Sequence, residues 1–291
     1  DYTMGSVIAV PAASTSASIN LGVVSDTKDE NDETIIIDID SVTNGTESGG
    51  GTGQQQTVNI LDDDDKPTVS LAVGSSSITE AAGTTTITAS LSAVSGRDVI
   101  VNLKTTGSTA TTDDYTLGLV ITVPAENTLA SASIVLTAVN DALFEGNESV
   151  IVDILSVTNG TATGTPKTVT ITDNDAAPTV TLSGTASINE NGGSAIITAT
   201  LNVVSGLQAT VNLAKTGIAS EGVDYSLATS TIIIAAGQTT NQTTLTSTDD
   251  LLDEDDETVT ISVGGTINAT DSTATSPVIT ILDNDALPSV T

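Results

Sequence analysis

The densest group of chemically active side chains in this chain is an acidic stretch, Asp249–Glu257, in which seven of the nine residues carry carboxylates. Carboxylates packed this closely repel one another by roughly 1 kcal/mol or more per pair, even with partial screening by solvent. Such a stretch is either loose and hydrated or held together by cations. Proteins bind hard divalent cations with carboxylate and carbonyl oxygens, so the residue types point to cation binding. An alternating pattern typical of a β-strand, Thr258–Val263, follows at once and would fix one end of the stretch.

Two other stretches, Asn140–Glu148 and Ser25–Glu33, show the same arrangement of spaced acids ahead of a predicted strand. This recurrence favours a built site over a loose acidic loop.

The rest of the chain repeats with the same period. The segment Pro67-Thr68-Val69-Ser70 returns with small changes at Pro178 and at Pro288, a spacing of about 110 residues. This period is too long for a solenoid repeat and matches one β-sandwich domain of about 100 residues. We therefore predict a partial domain, two complete domains, and the start of a further unit or a tail. Their predicted bounds are residues 1–66, 67–177, 178–287 and 288–291, and the first three are called the first, second and third domains below.

The composition predicts an all-β protein. Hydrophobic residues make up 38% of the chain and aromatic residues only 1%. β-Branched residues that alternate with Thr and Ser fit the half-buried surface of a sheet, and no apolar stripe with helical spacing is evident. In each complete domain we predict seven short strands of an aligned antiparallel sandwich. In the second domain they span residues 69–79 (split in two), 84–91, 98–104, 119–123, 130–138, 149–155 and 168–172.

The first domain carries only the last four strands of this pattern, predicted at residues 7–10, 16–23, 34–39 and 57–61. Half a sandwich would expose the apolar face of Ile35, Ile37 and Ile39 together with unpaired strand edges. Two explanations stay open. Either the chain is a piece of a longer tandem array, or a neighbouring copy supplies the missing strands by β-strand addition.

The charge balance limits the possible partners. The chain has 37 acidic and 6 basic residues and a net charge of -31, which opposes binding to nucleic acid and to anionic membranes. No apolar run approaches the roughly 18 residues that a membrane-spanning helix needs. The acids favour cations as partners. A halophilic surface would also be acidic, but its acids should spread evenly, whereas these cluster at repeated positions.

An enzyme is disfavoured because the chain has no His and no Cys, which removes the commonest general base and the thiol nucleophile. Paired carboxylates could hydrolyse glycosides. However, one Phe and no Trp offer little of the aromatic platform that a sugar site usually has.

Four acidic motifs of the third domain are expected to meet at one end of the sandwich, if its strands run alternately up and down. They are Glu190 after the first strand, Asp224 in an Asp-Tyr pair, the stretch Asp249–Glu257, and the closing Asp283–Asp285. This set of motifs, in this order, resembles the Calx-beta domain, and the resemblance covers essentially the whole chain. It implies a seven-stranded, immunoglobulin-like sandwich with a cluster of calcium ions at one end.

The resemblance also implies which residues bind calcium. In the third domain they are Glu190, Asp224, Asp249, Asp250, the carbonyl of Leu252, Glu254, Glu257, Asp283 and Asp285. In the second domain they are Glu80, Asp114, Asp141, the carbonyl of Leu143, Glu145, Glu148, Asp173 and Asp175. In the first domain they are Asp26, Glu30, Glu33, Asp62 and Asp64, with Asp1 and Asp63 as further acids.

Some positions depart from the family's pattern. Asn140 and Asn174 stand where acids are common, so weaker binding is expected in the second domain. The first domain has no counterpart of Glu80. Some members of the family hold these loops with salt bridges or a lysine instead of calcium, and Lys28 is the one base inside an acidic stretch.

The sequence thus predicts a non-enzymatic, calcium-stiffened structural repeat, such as a stalk or filament segment of a bacterial adhesin or surface protein. The expected location is extracellular or at the cell surface. A calcium-sensing regulatory module and an acidic halophilic protein without specific calcium sites are the alternatives. A sensor would need a partner domain that responds to the ion, and no residues outside the repeats would form one.

Overall fold

The computed structural model describes residues 1–48, 54–272 and 276–290. These residues form strands, turns and extended loops, and no helix among them is long and apolar enough to cross a membrane. The predicted all-β class of tandem sandwiches is confirmed. Thr291, the last residue of the predicted segment 288–291, lies outside the described residues.

The chain divides into two compact units. The first unit comprises Asp1–Ile78, Gly83–Ala138 and Ser149–Thr170, and the second comprises Thr79–Ala82, Val139–Glu148 and Ile171–Thr291. The acidic stretch that ends at Glu148 therefore packs with residues of the second unit.

The first domain contributes two small antiparallel sheets. β1 (Tyr2–Met4) pairs with β2 (Leu21–Val23), and β3 (Glu33–Ile37) pairs with β4 (Gln56–Ile60). The predicted strand at residues 16–23 is thus reduced to its last three residues.

The predicted strand at residues 7–10 is wrong. Val7 is 75% exposed, and within the described chain this segment pairs with no strand. Apolar alternation marks a strand only where a sheet can accept both its hydrogen bonds and its apolar face. The predicted exposure of the apolar face holds for Ile39 but not for Ile35, which is buried.

The second domain consists of two five-stranded sheets. Its strands are β5 (Thr68–Val73), β6 (Ser77–Thr79), β7 (Thr84–Leu91), β8 (Val99–Thr105), β9 (Tyr115–Leu117), β10 (Val120–Val123), β11 (Ser131–Ala138), β12 (Glu148–Thr158), β13 (Thr161–Ala162) and β14 (Lys167–Thr172). One sheet has the order β10-β8-β12-β14-β6, and the other β13-β5-β7-β11-β9. All seven predicted strands are present, with β9 and β13 as short additional edge strands.

The third domain repeats this architecture. Its strands are β15 (Thr179–Gly184), β16 (Ser187–Asn189), β17 (Ser194–Leu201), β18 (Ala209–Gly217), β19 (Tyr225–Leu227), β20 (Thr231–Ile234), β21 (Thr240–Ser247), β22 (Glu257–Ile267), β23 (Thr270–Asp271) and β24 (Val278–Leu282). The sheet orders are β19-β21-β17-β15-β23 and β16-β24-β22-β18-β20.

Alternation along the strands builds the core of the third domain. In β17, Ile197 is fully buried whereas its neighbour Ile196 is 47% exposed. Leu245, Ile261 and Ile279, from three further strands, are buried in the same cluster. Each fully buried Ile or Leu stabilises the fold by about 1.5–3 kcal/mol relative to exposure, so the sandwich is a firm base for the loops at its ends.

Candidate metal centre

The strand register of the third domain places two of the acidic motifs side by side. β16 and β24 run parallel with Asn189 opposite Leu282, and the amide of Glu190 donates a 2.9 Å hydrogen bond to the carbonyl of Leu282. Glu190 and Asp283 are the next residues at the same end of two neighbouring strands. Because paired strands lie about 4.8 Å apart, backbone geometry alone brings these two acids together.

The other two motifs are fixed by backbone contacts as well. The amide of Thr248, just after β21, donates a 2.9 Å hydrogen bond to the carbonyl of Asp224. The acidic stretch Asp249–Glu257 begins directly after this contact. It ends at Glu257, the first residue of β22, which pairs with Ile281 of β24. Both ends of the stretch are therefore held against the sandwich.

Three carboxylates converge at this end of the third domain. Glu190, Asp250 and Asp285 have oxygens that all lie within 4.8 Å of one another, and Glu190 is only 6% exposed. Within the described structure, Glu190 Oε2, Asp283 Oδ1 and Asp285 Oδ2 are buried and have no hydrogen-bond partner. A buried polar atom without a partner costs about 1–3 kcal/mol, and more if it is charged. Protons or a cation at these oxygens would offset this cost.

Burial and mutual repulsion raise the pKa values of the carboxyls around this cluster. Loss of solvent is the largest cause of the raised pKa values of Glu190, Glu254 and Asp285, and neighbouring acids add to it. The pKa of Glu257 rises furthest, to about 7, because burial disfavours its charge and because it shares a hydrogen bond with Asp224. A bound cation would reverse this tendency by stabilising the ionised forms.

The second unit holds a matching cluster of second-domain residues. Oxygens of Glu80, Asp141 and Asp175 lie within 4.8 Å of one another, and Glu80 is 7% exposed. The amide of Glu80 donates a 2.9 Å hydrogen bond to the carbonyl of Thr172, as Glu190 does one period later. Glu80 Oε1 accepts the amide of Asp141 at 2.9 Å. Asp175 Oδ2 is buried and, among the residues described, has no partner.

Asp173, another predicted ligand, holds the acidic loop through the backbone. Its Oδ2 accepts the amides of Glu145 and Gly146 at 3.0 and 2.8 Å, and its Oδ1 accepts the amide of Asp175 at 2.8 Å. This carboxylate therefore fixes the shape of the loop that carries the cluster.

Three further predicted ligands of the second domain lie in different units. In the second unit, carboxylate oxygens of Glu145 and Glu148 lie within 4.8 Å of each other. In the first unit, Asp114 Oδ2 accepts the amide of Thr111 at 2.5 Å, which orients the aspartate of the Asp-Tyr pair.

The three acidic loops share one turn, in which the carboxylate of the second residue of the stretch accepts the amide of the residue two positions later. The pairs are Lys28 to Asp26 at 2.9 Å, Leu143 to Asp141 at 2.7 Å, and Leu252 to Asp250 at 2.7 Å. The predicted carbonyl ligands Leu143 and Leu252 thus occupy the same position of equivalent turns.

In each closing motif, the first and third residues are the predicted calcium ligands. The outer aspartates are half-buried in all three domains, whereas Asn174, Asn284 and Asp63 between them are exposed. An asparagine in the middle position removes no carboxylate from the cluster. The weaker binding expected in the second domain, from Asn140 and Asn174, stays a prediction.

Basic residues form ion pairs in and around the first acidic stretch, Ser25–Glu33. The side chain of Asp29 is 2% exposed and pairs with the guanidinium of Arg97, whose Nε lies 3.1 Å from Asp29 Oδ2. Lys28 Nζ lies 2.7 Å from Glu126 Oε2. In the described part of residues 1–66, no three carboxylates come within the 4.8 Å that defines the other clusters.

A cleft of about 520 Å³ in the first unit collects several of the remaining acids. Burial is the largest cause of the raised pKa values of Glu30 and Asp64, and nearby acids add to it. The predicted ligands Asp26 and Glu33 lie outside the lining. The cleft is lined by Asp29, Glu30, Asn31, Asp32, Asp62, Asp64, Asp65, Lys66 and Arg97. Two bases therefore lie among these acids.

The sequence interpretation missed Arg97 as part of this region. Arg97 lies 68 residues from Asp29 and is separated from every acidic stretch. A signal was present, however, because the preceding pair Ser95-Gly96 recurs one period later as Ser205-Gly206.

Comparisons with known proteins identify the domain family. The sequence model of the Calx-beta domain matches residues 2–64, 62–176 and 173–285. Similar solved structures include CBD12 of CALX1.2, which is 13% identical, with 70% of this chain and 95% of that chain covered and a TM-score of 0.32. The apo form of the Calx CBD1 domain is 19% identical, with 38% and 100% covered and a TM-score of 0.35.

The Yersinia pseudotuberculosis adhesin InvE is also similar. It is 19% identical, with 73% of this chain and 58% of that chain covered and a TM-score of 0.35. No curated protein sequence matches the chain.

Proposed function

Because the chain belongs to the Calx-beta domain family, we propose that it is a calcium-binding structural repeat without enzymatic activity. In this proposal it forms part of a stalk or filament of a protein outside the cell or at its surface. Calx-beta domains are calcium-binding domains, and the tandem arrangement with acidic clusters at domain ends suits a role in stiffening rather than in chemistry.

The observation that carries the proposal is the buried carboxylate of Glu190. Its unpartnered Oε2 and the oxygens of Asp250 and Asp285 within 4.8 Å need either protons or a cation, since three adjacent charges would repel strongly. Calcium takes six to eight oxygen ligands at about 2.3–2.6 Å in flexible geometry, whereas magnesium requires a tight octahedron. Carboxylates from several loops suit calcium better.

Two calcium sites of similar design are proposed. In the third domain the remaining ligands would come from Asp224, Asp249, the carbonyl of Leu252, Glu254, Glu257 and Asp283. In the second domain, Glu80, Asp141 and Asp175 form the centre, and Asp114, the carbonyl of Leu143, Glu145, Glu148 and Asp173 remain predicted contributors.

The first domain is proposed to depend less on calcium. Arg97 and Lys66 lie among its acids, and Lys28 pairs with Glu126. Positive side chains there supply charge that an ion would otherwise supply, so Asp26, Glu30, Glu33, Asp62 and Asp64 would bind calcium more weakly or not at all.

Thermal unfolding of the full chain with calcium, with magnesium and with chelator tests the proposal. Extracellular calcium modules bind at about 10⁻⁴–10⁻³ M, so calcium at about 10 mM is roughly 10 to 100 times the Kd and stabilises the folded state by about 1.4–2.7 kcal/mol per site. Millimolar calcium should therefore raise Tm by several degrees, and magnesium should do much less. An unchanged Tm after chelation would refute calcium binding.

Calorimetric titration of two variants assigns the sites. Glu190→Gln should remove the binding events of the third domain and leave those of the second, and Glu80→Gln should do the reverse. Asp255→Asn is the matched control, because it removes one charge from an exposed position of the same acidic stretch. Equal losses in Glu190→Gln and Asp255→Asn would mean that charge alone, not a site, attracts the ion.

A further inference from the structure

The acidic loop of the first domain docks on the connection between β7 and β8 through its backbone. The carbonyl of Asp29 accepts the amide of Gly96 at 3.1 Å and the hydroxyl of Ser95 at 3.4 Å. The same hydroxyl accepts the amide of Arg97 at 3.1 Å. This contact, entirely within the first unit, is called the first joint.

An equivalent contact lies entirely within the second unit and is called the second joint. The carbonyl of Phe144 accepts the amide of Gly206 and the hydroxyl of Ser205, both at 3.1 Å. Ser205 Oγ in turn accepts the amide of Leu207 at 3.1 Å. The two joints therefore share the same backbone hydrogen bonds at positions one period apart.

A side chain at the central glycine of each joint would displace a glutamate that lies over it. A Cβ atom on Gly96 would lie 2.5 Å from Glu30 Cγ, and one on Gly206 would lie 2.6 Å from Glu145 Cγ. In both joints the glutamate that follows the docking carbonyl covers the glycine. The Ser-Gly pair is thus the constant half of the contact.

The residues beside this constant contact differ between the joints. In the first joint, the buried Asp29 carboxylate pairs with the Arg97 guanidinium. In the second joint, the corresponding residues are Phe144 and Leu207, both half-buried, and Leu207 Cδ1 lies 3.7 Å from the Cβ position of Gly146. The first joint therefore has a charged pair at these two positions, and the second joint has two apolar residues.

The two joints also differ in charge at a second pair of positions. Lys28, which precedes Asp29, pairs with Glu126 at 2.7 Å. The amide of Glu126 is itself bound to the carbonyl of Ser95 at 2.9 Å, and Gly237 makes the equivalent bond to Ser205 at 2.9 Å. Gly237 offers no charge, and the residue that precedes Phe144 is Leu143.

We propose that the side chains at these two pairs of positions determine which domain can pack against each acidic loop. The acidic loop of the third domain is then a docking surface for a specific hairpin of another domain. The third loop carries Leu252 and Asp253 at the two variable positions, both exposed. By the rule of the two joints, it fits a β-sandwich domain whose hairpin reads Ser-Gly-Arg or Ser-Gly-Lys with an uncharged residue at the position of Gly237. The attraction between the negative charge of Asp253 and the basic residue of the hairpin would select this domain over others.

The rule can be tested inside the full chain by hydrogen exchange of the Gly206 amide, followed by NMR in calcium-containing buffer. Phe144→Asp gives the second loop the Leu-Asp pair of the third loop. A carboxylate at this half-buried position, with no basic residue at position 207, should open the joint and raise the exchange rate of Gly206 at least about 10-fold. Adding Leu207→Arg should restore protection to within about threefold of the original chain.

Two controls separate selection from general damage. Phe144→Asp with Leu207→Glu should stay open, because the charges then repel. The amide of Leu213, bound to the carbonyl of Ser230 at 2.9 Å, reports on the sandwich itself and should remain protected in every variant. Unchanged exchange of Gly206 in Phe144→Asp, or failure of Leu207→Arg to restore it, would overturn the proposal.

The first joint provides the reciprocal test. Arg97→Leu should expose the Gly96 amide to exchange, and adding Asp29→Phe should protect it again by copying the apolar pair of the second joint. If the double variant exchanges as fast as Arg97→Leu alone, the side chains do not select the neighbour.

Discussion

Buried carboxyl groups make the calcium-free chain sensitive to pH at the residue scale. The pKa of Glu257 rises to about 7 from 4.5, so the folded state holds its proton at pH values where the unfolded state has lost it. Stability from this group is fully present below about pH 4.5 and disappears as the pH rises through 7. With chelator present, Tm should therefore fall by a few degrees between pH 5 and pH 8.

Glu257→Gln keeps the size of the side chain and removes the titration. In this variant, Tm should fall much less between pH 6 and pH 8 than in the original chain. A smaller fall should remain, because the pKa values of Glu190, Glu254 and Asp285 are also raised. Calcium should flatten the profile of the original chain, because a cation replaces the proton. A flat profile in chelator would contradict the assignment.

Sequence alone could indicate the acids of the site but not their counter-charges. Glu190 and Asp283 were predictable because each directly follows a strand of an alternating, repeated pattern. The pairing of Asp29 with Arg97 was not, because no local spacing connects a loop of one domain with a hairpin of the next. The unpartnered oxygen of Glu190 also depends on packing, which the order of residues does not reveal.

At the scale of strands, the end of β18 depends on one glycine. Gly217 has a φ of +144°, and a Cβ there would lie 2.1 Å from the carbonyl oxygen of Thr258 in β22. Gly217→Ala should destabilise the fold by about 2–4 kcal/mol, since both the backbone conformation and the close approach oppose a side chain. Chemical denaturation of the full chain would measure this.

Gly222→Ala is the matched control. Gly222 also has a positive φ, +88°, but no atom lies within 4 Å of its Cβ position, so only about 1 kcal/mol of backbone strain is expected. Equal effects in the two variants would show that the contact with β22 is unimportant. Gly107, the counterpart of Gly217 in the second domain, has its nearest neighbour at 3.8 Å and should tolerate alanine better than Gly217.

The strands themselves were largely predictable, because alternate residues are buried along the long strands of both complete domains. Examples are β7 and β8 in the second domain and β17 and β18 in the third. The failure at residues 7–10 has a different cause. The alternation is present there, but no sheet takes up the segment, and the exposed Val7 gains nothing from a strand conformation. Short edge strands such as β9 were missed because three residues carry too little pattern to recognise.

At the scale of the whole molecule, a net charge of -31 opposes compaction unless cations are near. Raising NaCl from about 0.1 M to 1 M shortens the screening length from about 10 Å to 3 Å. In chelator this should raise Tm, and with calcium bound the increase should be smaller because the most crowded acids are already neutralised. Differential scanning calorimetry at several salt concentrations would measure both.

The same experiment discriminates the halophilic alternative. An acidic surface without sites should respond to NaCl and remain indifferent to millimolar calcium in 1 M NaCl. A chain with built clusters around Glu80 and Glu190 should respond to calcium under both conditions.

The connection between β14 and β15 has a mechanical consequence. A force that pulls on the two ends of the chain passes through the backbone of this connection, which contains Asp175, and Asp175 has an oxygen within 4.8 Å of Glu80 and Asp141. An ion held there would tie the connection to the sandwich, so tension would have to break ion–oxygen bonds before it could peel β14 from its sheet. With calcium the chain should resist low forces and lengthen in steps, whereas without calcium it should yield gradually.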